Sequence, residues 1–511
     1  MAKETQDFSL NVADLNYYDI LAMLCHKIDS LGEDVHHELF EVADSNLDSC
    51  ILRATERFPW LALKGRIPLP TYRDIDENDA YDLLCFAKTS EIDNLAIVLG
   101  SISLIDTAMD LSNNFKSFIE GKNCRVISDD DYFSDSFYAF DALNYNTQEN
   151  FGSILPCLCC EWKKHSDRSL DTVAFMPLSL VLKNYIWVPC KSGFKVNNFY
   201  TDMKGTGIGM ALIPEKPPLK IVSSPILKQA PFFAVLNEQN KEFYIHYQNI
   251  YDEAMLKRMQ KVIEFSFREC ADIVIFPEMM GTEYCISSCK EYIGEFASIR
   301  RPKLYVLPSR EYCIDGQWYN TVDLLDEEGE CIFKYNKQHS FMYDVKEPGK
   351  KKVSFKEPIV QDGNICVIHV PGIGRVGLII CSDIFKDGYL QWLIKNLKLT
   401  LLLYPVYSAG KDLLMRNLSI AHTLSCDVLM CNTCAAWEKI IIPPAERPDN
   451  EEFDKTFINT YYPYGHLPNS GTIQTIVCDK KECTGCLFVT SIPKNYRCDA
   501  CLIEQIGLEG I

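Results

Sequence analysis

Three side chains combine reactive chemistry with a position that could expose it: Glu278, Lys337 and Cys381. Each stands at or just past the end of an apolar run. Cys381 lies in Arg375 to Phe385, RVGLIICSDIF, after five positions of which four are apolar. Such a run reads as a strand buried on both faces. The cysteine then sits where strand gives way to turn or helix, which is where open α/β sheets place their chemistry. A thiol there can meet the backbone N–H groups of the next turn, which lower its pKa and could hold an oxyanion. Glu278 follows the run ending in Pro277, and a carboxylate directly after a buried strand is costly unless it is solvated, paired or used. Lys337 comes two residues after Tyr335, beyond the second arm of a hairpin. Taken singly, each has a plainer reading: one of 23 cysteines in a core, a surface carboxylate, a solvated edge lysine. Their order along one β/α pattern makes them a set.

That pattern begins after a proline-rich stretch, Pro214 to Pro231, which is poor in periodicity and marks a domain boundary. Phe232 to Leu236 is a short apolar run, Glu253 to Cys270 an amphipathic helix, and Ala271 to Phe276 a second apolar run. This β, α, β order is what a layered sheet-and-helix domain requires. Lys303 to Leu307 adds a strand, and Tyr319 to Leu325 with Cys331 to Tyr335 forms a hairpin across Asp326 to Glu330, DEEGE. After the Cys381 strand come a helix near 388–397, strands near 399–403 and 426–432, and a helix near 413–424. Residues 435–469 are polar and contain prolines, as a long loop over the mouth of a site would. Residues 346–356 are rich in lysine and read as a solvated loop.

The first part of the chain differs in texture. Residues 1 to about 120 are mostly helical in pattern, with apolar residues three and four apart in Leu15 to Ile28 and Glu91 to Phe118. Arg66 to Asp74 breaks that pattern with two prolines, and 121–229 loosens into short β-like runs such as Leu180 to Val188. KGTGIGM, Lys204 to Met210, lacks the lysine and hydroxyl residue of a phosphate loop and reads as a flexible turn. The cysteines of LPCLCC, Leu155 to Cys160, with Cys190 match no usual zinc spacing.

The whole chain has 511 residues, enough for roughly two to four domains. Its 70 acidic against 51 basic residues give a charge of -19, which repels phosphate backbones and argues against a nucleic-acid partner. The N-terminal MAKETQDFSL shows no secretory pattern. The apolar stretch Leu95 to Leu111 carries Asp106 and Asp110, so no membrane span is expected. A cytoplasmic location with reduced cysteines follows as the expectation.

Together the motifs resemble those of the nitrilase, or carbon-nitrogen hydrolase, superfamily over about residues 230–495. ADIVIFPE, Ala271 to Glu278, looks like the motif of that family's catalytic glutamate. WYNTVDLLDEEGECIFKYNK, Trp318 to Lys337, resembles its hairpin and catalytic lysine, and RVGLIICSDIF its nucleophile motif with Asp383 two residues on. Glu357 lies where the family often carries a second glutamate beside the lysine. The resemblance implies an α/β fold, a nitrilase-like α-β-β-α sandwich, preceded by a mostly helical N-terminal region (1–225) and followed by a tail (496–511). It implies a Cys381 thioester, Glu278 as base, Lys337 and the Ser382 N–H for the oxyanion, and Glu357 orienting Lys337. An amide or nitrile substrate, no organic cofactor and a homo-oligomer are further implications. Ser382 replaces a common aromatic residue, and Tyr407 stands where tryptophan is common.

Other readings stay open: an interaction scaffold with a partner bound by the N-terminal region, or acyl transfer to an amine through the same thioester. Near the C-terminus, Cys483 with Cys486 and Cys498 with Cys501 have the pairwise spacing of a four-cysteine structural zinc site. Against that, Cys486 opens the apolar run CLFV, which could be a last strand.

Overall fold

The computed structural model describes residues 15–62, 75–108, 151–156, 178, 181–189, 193–201, 219–295 except 228, 301–345, 352–370, 374–409, 414, 418, 421, 426–437, 440–441 and 486–492. It also describes the backbone of Cys124–Val126, Phe137–Phe140, Thr456–Tyr462, Gln474–Cys478 and Leu502–Gly507. The 204–210 loop, the 346–351 part of the lysine-rich stretch, Cys157 to Cys160, Cys190, Cys483, Cys498 and Cys501 lie outside the described residues. The chain divides into two compact units, one drawn from the first 192 residues and one built mainly from Gly193–Ile511.

The first unit is helical, as its periodicity predicts. Tyr17–Asp29 begins at a capping box in which the Asn16 side chain accepts from the Asp19 N–H at 2.9 Å and Asp19 accepts from the Asn16 N–H at 3.1 Å. The two bonds satisfy donors that a helix start leaves unpaired. Glu33–Arg57 and Glu77–Phe86 follow, then Ile92–Ala108, which is apolar nearly all round and buried along its length. Its one buried carboxylate, Asp106, accepts from the backbone N–H groups of Lys183, Asn184 and Tyr185. Within the β-like run near 180–188, Tyr185–Val188 is a strand, paired with Ser153–Pro156.

The second unit is mixed α/β and holds the chemistry. One sheet runs Lys195–Thr201, Asn364–Val370, Gly374–Leu378, Leu401–Val406, Asp427–Asn432, Thr456–Tyr462, Gln474–Cys478. Gly374–Leu378, Leu401–Val406 and Asp427–Asn432 are parallel neighbours, and the last two are buried throughout. The other large sheet runs Arg310–Ile314, Gln317–Leu325, Leu304–Val306, Ile273–Ile275, Leu219–Ser223, Cys486–Ile492, Leu502–Gly507, with Cys331–Asn336 also paired to Gln317–Leu325. A small sheet joins Met342–Val345, Val353–Lys356, Glu242–Tyr247 and Phe232–Asn237. The two large sheets meet at Cys431, whose Sγ lies 3.8 Å from the Ser224 carbonyl and 3.7 Å from that of Ile275. The helices Asp252–Arg268 and Glu283–Glu295 bury Met255, Met259, Ile263, Cys285 and Cys289 in one core with Val274 and Tyr305.

Three features differ from the sequence reading. Leu219–Ser223 is a strand inside the supposed boundary, because LKIVS is buried at four of its five positions and so shows no alternation. Leu502–Gly507, in the expected tail, pairs with Cys486–Ile492. The expected loop 435–469 contains the strand Thr456–Tyr462. Both large sheets therefore recruit chain from outside 230–495.

Candidate active site

Four strand ends from three sheets converge. Glu278 lies three residues after Ile273–Ile275, and Lys337 directly follows the hairpin arm Cys331–Asn336, its N–H still donating to the Asn320 carbonyl at 2.8 Å. Glu357 directly follows Val353–Lys356, and Cys381 opens a tight helical turn, Cys381–Phe385, beyond Gly374–Leu378. The structure thus brings Glu278, Lys337, Glu357, Cys381 and Ser382 together, all 4 % exposed or less.

Lys337 Nζ bonds Glu278 Oε1 at 2.7 Å and Glu357 Oε2 at 2.8 Å. Asn320 Nδ2 donates to both carboxylates, at 3.0 Å each, so the two acids and the lysine form a closed set. The other Glu278 oxygen, Oε2, accepts the Tyr407 N–H at 3.0 Å, and the Phe341 N–H donates to Glu357 at 2.8 Å. The Cys381 thiol has two acceptors in reach: the Tyr407 carbonyl at 3.7 Å and the Glu278 carboxylate.

Backbone conformation aims these groups. Cys381 has φ of 37° and Met279, next to Glu278, has φ of 59°, the left-handed region that side-chain-bearing residues rarely occupy. Asp383 holds the cysteine turn in place. Its carboxyl group accepts from the Ile380 N–H at 2.9 Å, the Gln338 N–H at 2.6 Å and the Tyr335 hydroxyl at 3.0 Å. One side chain therefore ties the cysteine turn to the segment carrying Lys337. Tyr404 donates its hydroxyl to the Cys381 carbonyl at 2.6 Å, and the Ser382 hydroxyl donates to the His339 carbonyl at 2.5 Å. Asn432 bonds Ser408 through both of its side-chain ends, bracing the segment that carries Tyr407. Tyr407 itself rests its ring 5.2 Å from that of Phe232 and donates its hydroxyl to the Ala435 carbonyl.

Electrostatics set the resting protonation. Burial pushes Lys337 down, but Glu278 and Glu357 outweigh it and hold the ammonium well above the ordinary lysine range. Burial raises the Glu278 carboxyl, and Lys337 offsets only part of this; Glu357, also buried, is held below the usual range by Lys337 and its hydrogen bonds. Burial, with the Glu278 charge beside it, raises the Cys381 thiol well above its usual value, against the pull of Lys337. This corrects the expectation that backbone N–H groups lower its pKa: in the closed site, desolvation and the neighbouring carboxylate win, and the resting sulfur carries its proton.

Residues 246–420 match the family model described as carbon-nitrogen hydrolase. This match lies in the C-terminal half and supports the resemblance of that half to the nitrilase superfamily. Two curated relatives, both from Dictyostelium discoideum, match within it: a deaminated glutathione amidase, 33 % identical over 88 residues (17 % of this chain, 29 % of the relative), and nitrilase homolog 2, 26 % identical over 157 residues (28 % and 47 %). The chain thus spans less than half the length of each. Among solved structures, an amidase from Nesterenkonia sp. is similar at 14 % identity and a TM-score of 0.33, covering 55 % of this chain and 92 % of that one. The C. elegans NitFhit protein is similar at 15 % identity and a TM-score of 0.33, covering 58 % and 62 %.

Glu278, Lys337, Glu357, Cys381 and Ser382, singled out in the sequence, lie together in this one cluster. Cys486 lies outside this cluster, buried at the start of the strand Cys486–Ile492. Two parts escaped the sequence reading. One is the Tyr407 backbone, which bridges Glu278 and Cys381 through groups that any residue has. The other is Glu311, in a strand too short to show a pattern. No helix among the described residues is long and apolar enough to cross a membrane.

Proposed function

We propose that the second unit is a thiol-dependent carbon-nitrogen hydrolase of amidase type. The observation that carries this reading is the fully buried Glu278, Lys337 and Glu357 set with the Cys381 thiol directed at Glu278. Amides are poor electrophiles, and a covalent acyl-enzyme splits their hydrolysis into two easier steps. A bound carbonyl would draw the thiol proton onto Glu278 as Sγ attacks, since burial raises the Glu278 carboxyl above the usual carboxylate range and so suits it to take and return a proton. Lys337 and the Ser382 N–H would hold the oxyanion, a contact typically worth about 3 kcal/mol of barrier. Glu278 would then protonate the departing amine and activate the water that releases the acid from the thioester. Glu357 would keep Lys337 charged and oriented throughout.

The test is ammonia release from a panel of small aliphatic amides, with mass spectrometry of the acylated Cys381 peptide. Wild type should turn over at least one amide through a Cys381 adduct, and Cys381→Ala should abolish turnover while unfolding at an unchanged temperature. Undiminished turnover by Cys381→Ala would refute the mechanism. The 4 % exposure of Cys381 favours a second reading, a scaffold with a closed site. That reading expects no adduct with any amide and no labelling of Cys381 by iodoacetamide at any pH where the fold survives.

A further inference from the structure

The cluster around Lys337 contains one carboxyl group that the proposed chemistry leaves unused. Glu311 lies on Arg310–Ile314, and its register partner in the antiparallel neighbour is Asn320. Directly opposed residues in such a pair present their side chains on the same face. Asn320 is the residue whose amide bonds both Glu278 and Glu357, so Glu311 enters the cluster beside them. It is 5 % exposed, and neither carboxyl oxygen receives an N–H or O–H group from the described residues. Arg310, next in sequence, is engaged with Glu283 and Asp323. The Tyr247 hydroxyl accepts from the Glu311 backbone N–H at 3.2 Å. Among the described residues, the side chain with which Glu311 interacts by hydrogen bond is another carboxyl, Glu357.

Two buried carboxyl groups in contact, with no donor between them, either repel or share a proton. Here Glu357 already accepts from Lys337, Asn320 and Phe341, donors that favour its ionised form. We infer that Glu311 is held as a neutral carboxylic acid donating its proton to Glu357, and that it is thereby a positioning residue for the Lys337 ammonium. The groups facing it agree. Burial first, and then the Glu357 charge, raise Glu311 well above the carboxylate range, while Lys337 opposes and Glu278 adds to the rise. A neutral Glu311 leaves the Lys337 charge opposed by Glu278 and Glu357 alone. An ionised one would add a third carboxylate to the same pocket and hold the Cys381 proton still more tightly.

The inference that Lys337 needs this support rests on the hydrolase reading, but the proton itself can be observed without turnover. In the full-length protein, infrared spectra near neutral pH should contain the carbonyl band of a protonated carboxylic acid that Glu311→Gln removes. Glu311→Gln keeps a neutral donor to Glu357, whereas Glu311→Leu leaves that carboxylate one donor short. Turnover of the best small amide should therefore fall further in Glu311→Leu, by about tenfold relative to Glu311→Gln and in kcat rather than KM, as the loss of a hydrogen bond to a charged group predicts. Identical spectra for wild type and Glu311→Gln in the protonated-acid region would overturn the inference. So would equal kcat losses in the two variants. Should Glu311→Leu fail to fold, the infrared comparison decides alone. Should Cys381→Ala keep full turnover while the Glu311 band behaves as expected, the hydrolase reading falls and the shared proton stands.

Discussion

Replacing Lys337 by methionine keeps the reach of the side chain and removes the charge that faces Glu278 and Glu357 at 2.7 and 2.8 Å. Two buried carboxylates then lose their cation, and breaking a buried pair from one side typically costs about 3–5 kcal/mol. The cost depends on pH with a definite sign. Without the ammonium, both acids are left with folded pKa values above their unfolded value of about 4.3, so their protonated forms favour the fold at low pH and that contribution is lost as pH rises. In wild type, Glu357 is depressed instead, so its contribution is present above the unfolded value and fades as pH falls through the folded one. The unfolding-temperature gap between wild type and Lys337→Met should therefore widen from about pH 5 to about pH 8. A constant gap would mean that the carboxylates find another counter-charge. Strand-end position, legible in an apolar run that stops, pointed to Glu278, Lys337 and Cys381, while Glu357 came from the family resemblance alone. It did not disclose Glu311, whose significance depends on a cross-strand neighbour that no local pattern around it reveals.

At the scale of elements, local chemistry was readable where a turn is self-contained. The hairpin across DEEGE forms as expected because Asp326 accepts from the N–H groups of Glu328 and Glu330, and Gly329 takes φ of 86°, which a side chain would resist. The helix Glu283–Glu295 was not foreseen, since half of its buried stripe is Cys285 and Cys289 rather than aliphatic residues. The turn after Cys381 depends on Asp383, whose burial raises its carboxyl to about 7 against the pull of the Ile380 N–H, Lys337, the Tyr335 hydroxyl and the Gln338 N–H. Its folded value stands above the unfolded one of about 3.9, so its stabilising contribution is complete below that unfolded value and is lost as pH rises through about 7. Asparagine at this position cannot titrate. The stability difference between wild type and Asp383→Asn, followed by chemical denaturation, should shift steadily against wild type as pH rises across that window. A difference that does not move with pH would show that Asp383 is ionised throughout and that its three donors outweigh its burial.

For the molecule as a whole, the information missing from the sequence is pairing order. Leu219–Ser223 sits between Ile273–Ile275 and Cys486–Ile492, more than two hundred residues apart along the chain, and no local periodicity announces such a position. Lys195–Thr201 likewise lies parallel to Asn364–Val370 over six registered pairs, with Asn198 bonded to His369 at 3.0 Å. The prolines from Pro214 to Pro231 therefore flank a central strand instead of separating two domains. Two truncations test this. A chain beginning at Gly193 keeps both strands, whereas one beginning at Ala230 removes them and leaves Ile273–Ile275 and Cys486–Ile492, whose side chains are nearly all buried, each with an unpaired edge. Unpaired buried strand groups each cost about 1–3 kcal/mol, so the loss of one central strand exceeds the whole stability of an ordinary domain. The longer truncated chain should unfold with a single cooperative transition and label at Cys381 as the full chain does, while the shorter one should aggregate or bind hydrophobic dye. Equal cooperativity in the two would mean that Leu219–Ser223 is dispensable and that the sheet closes directly between its neighbours.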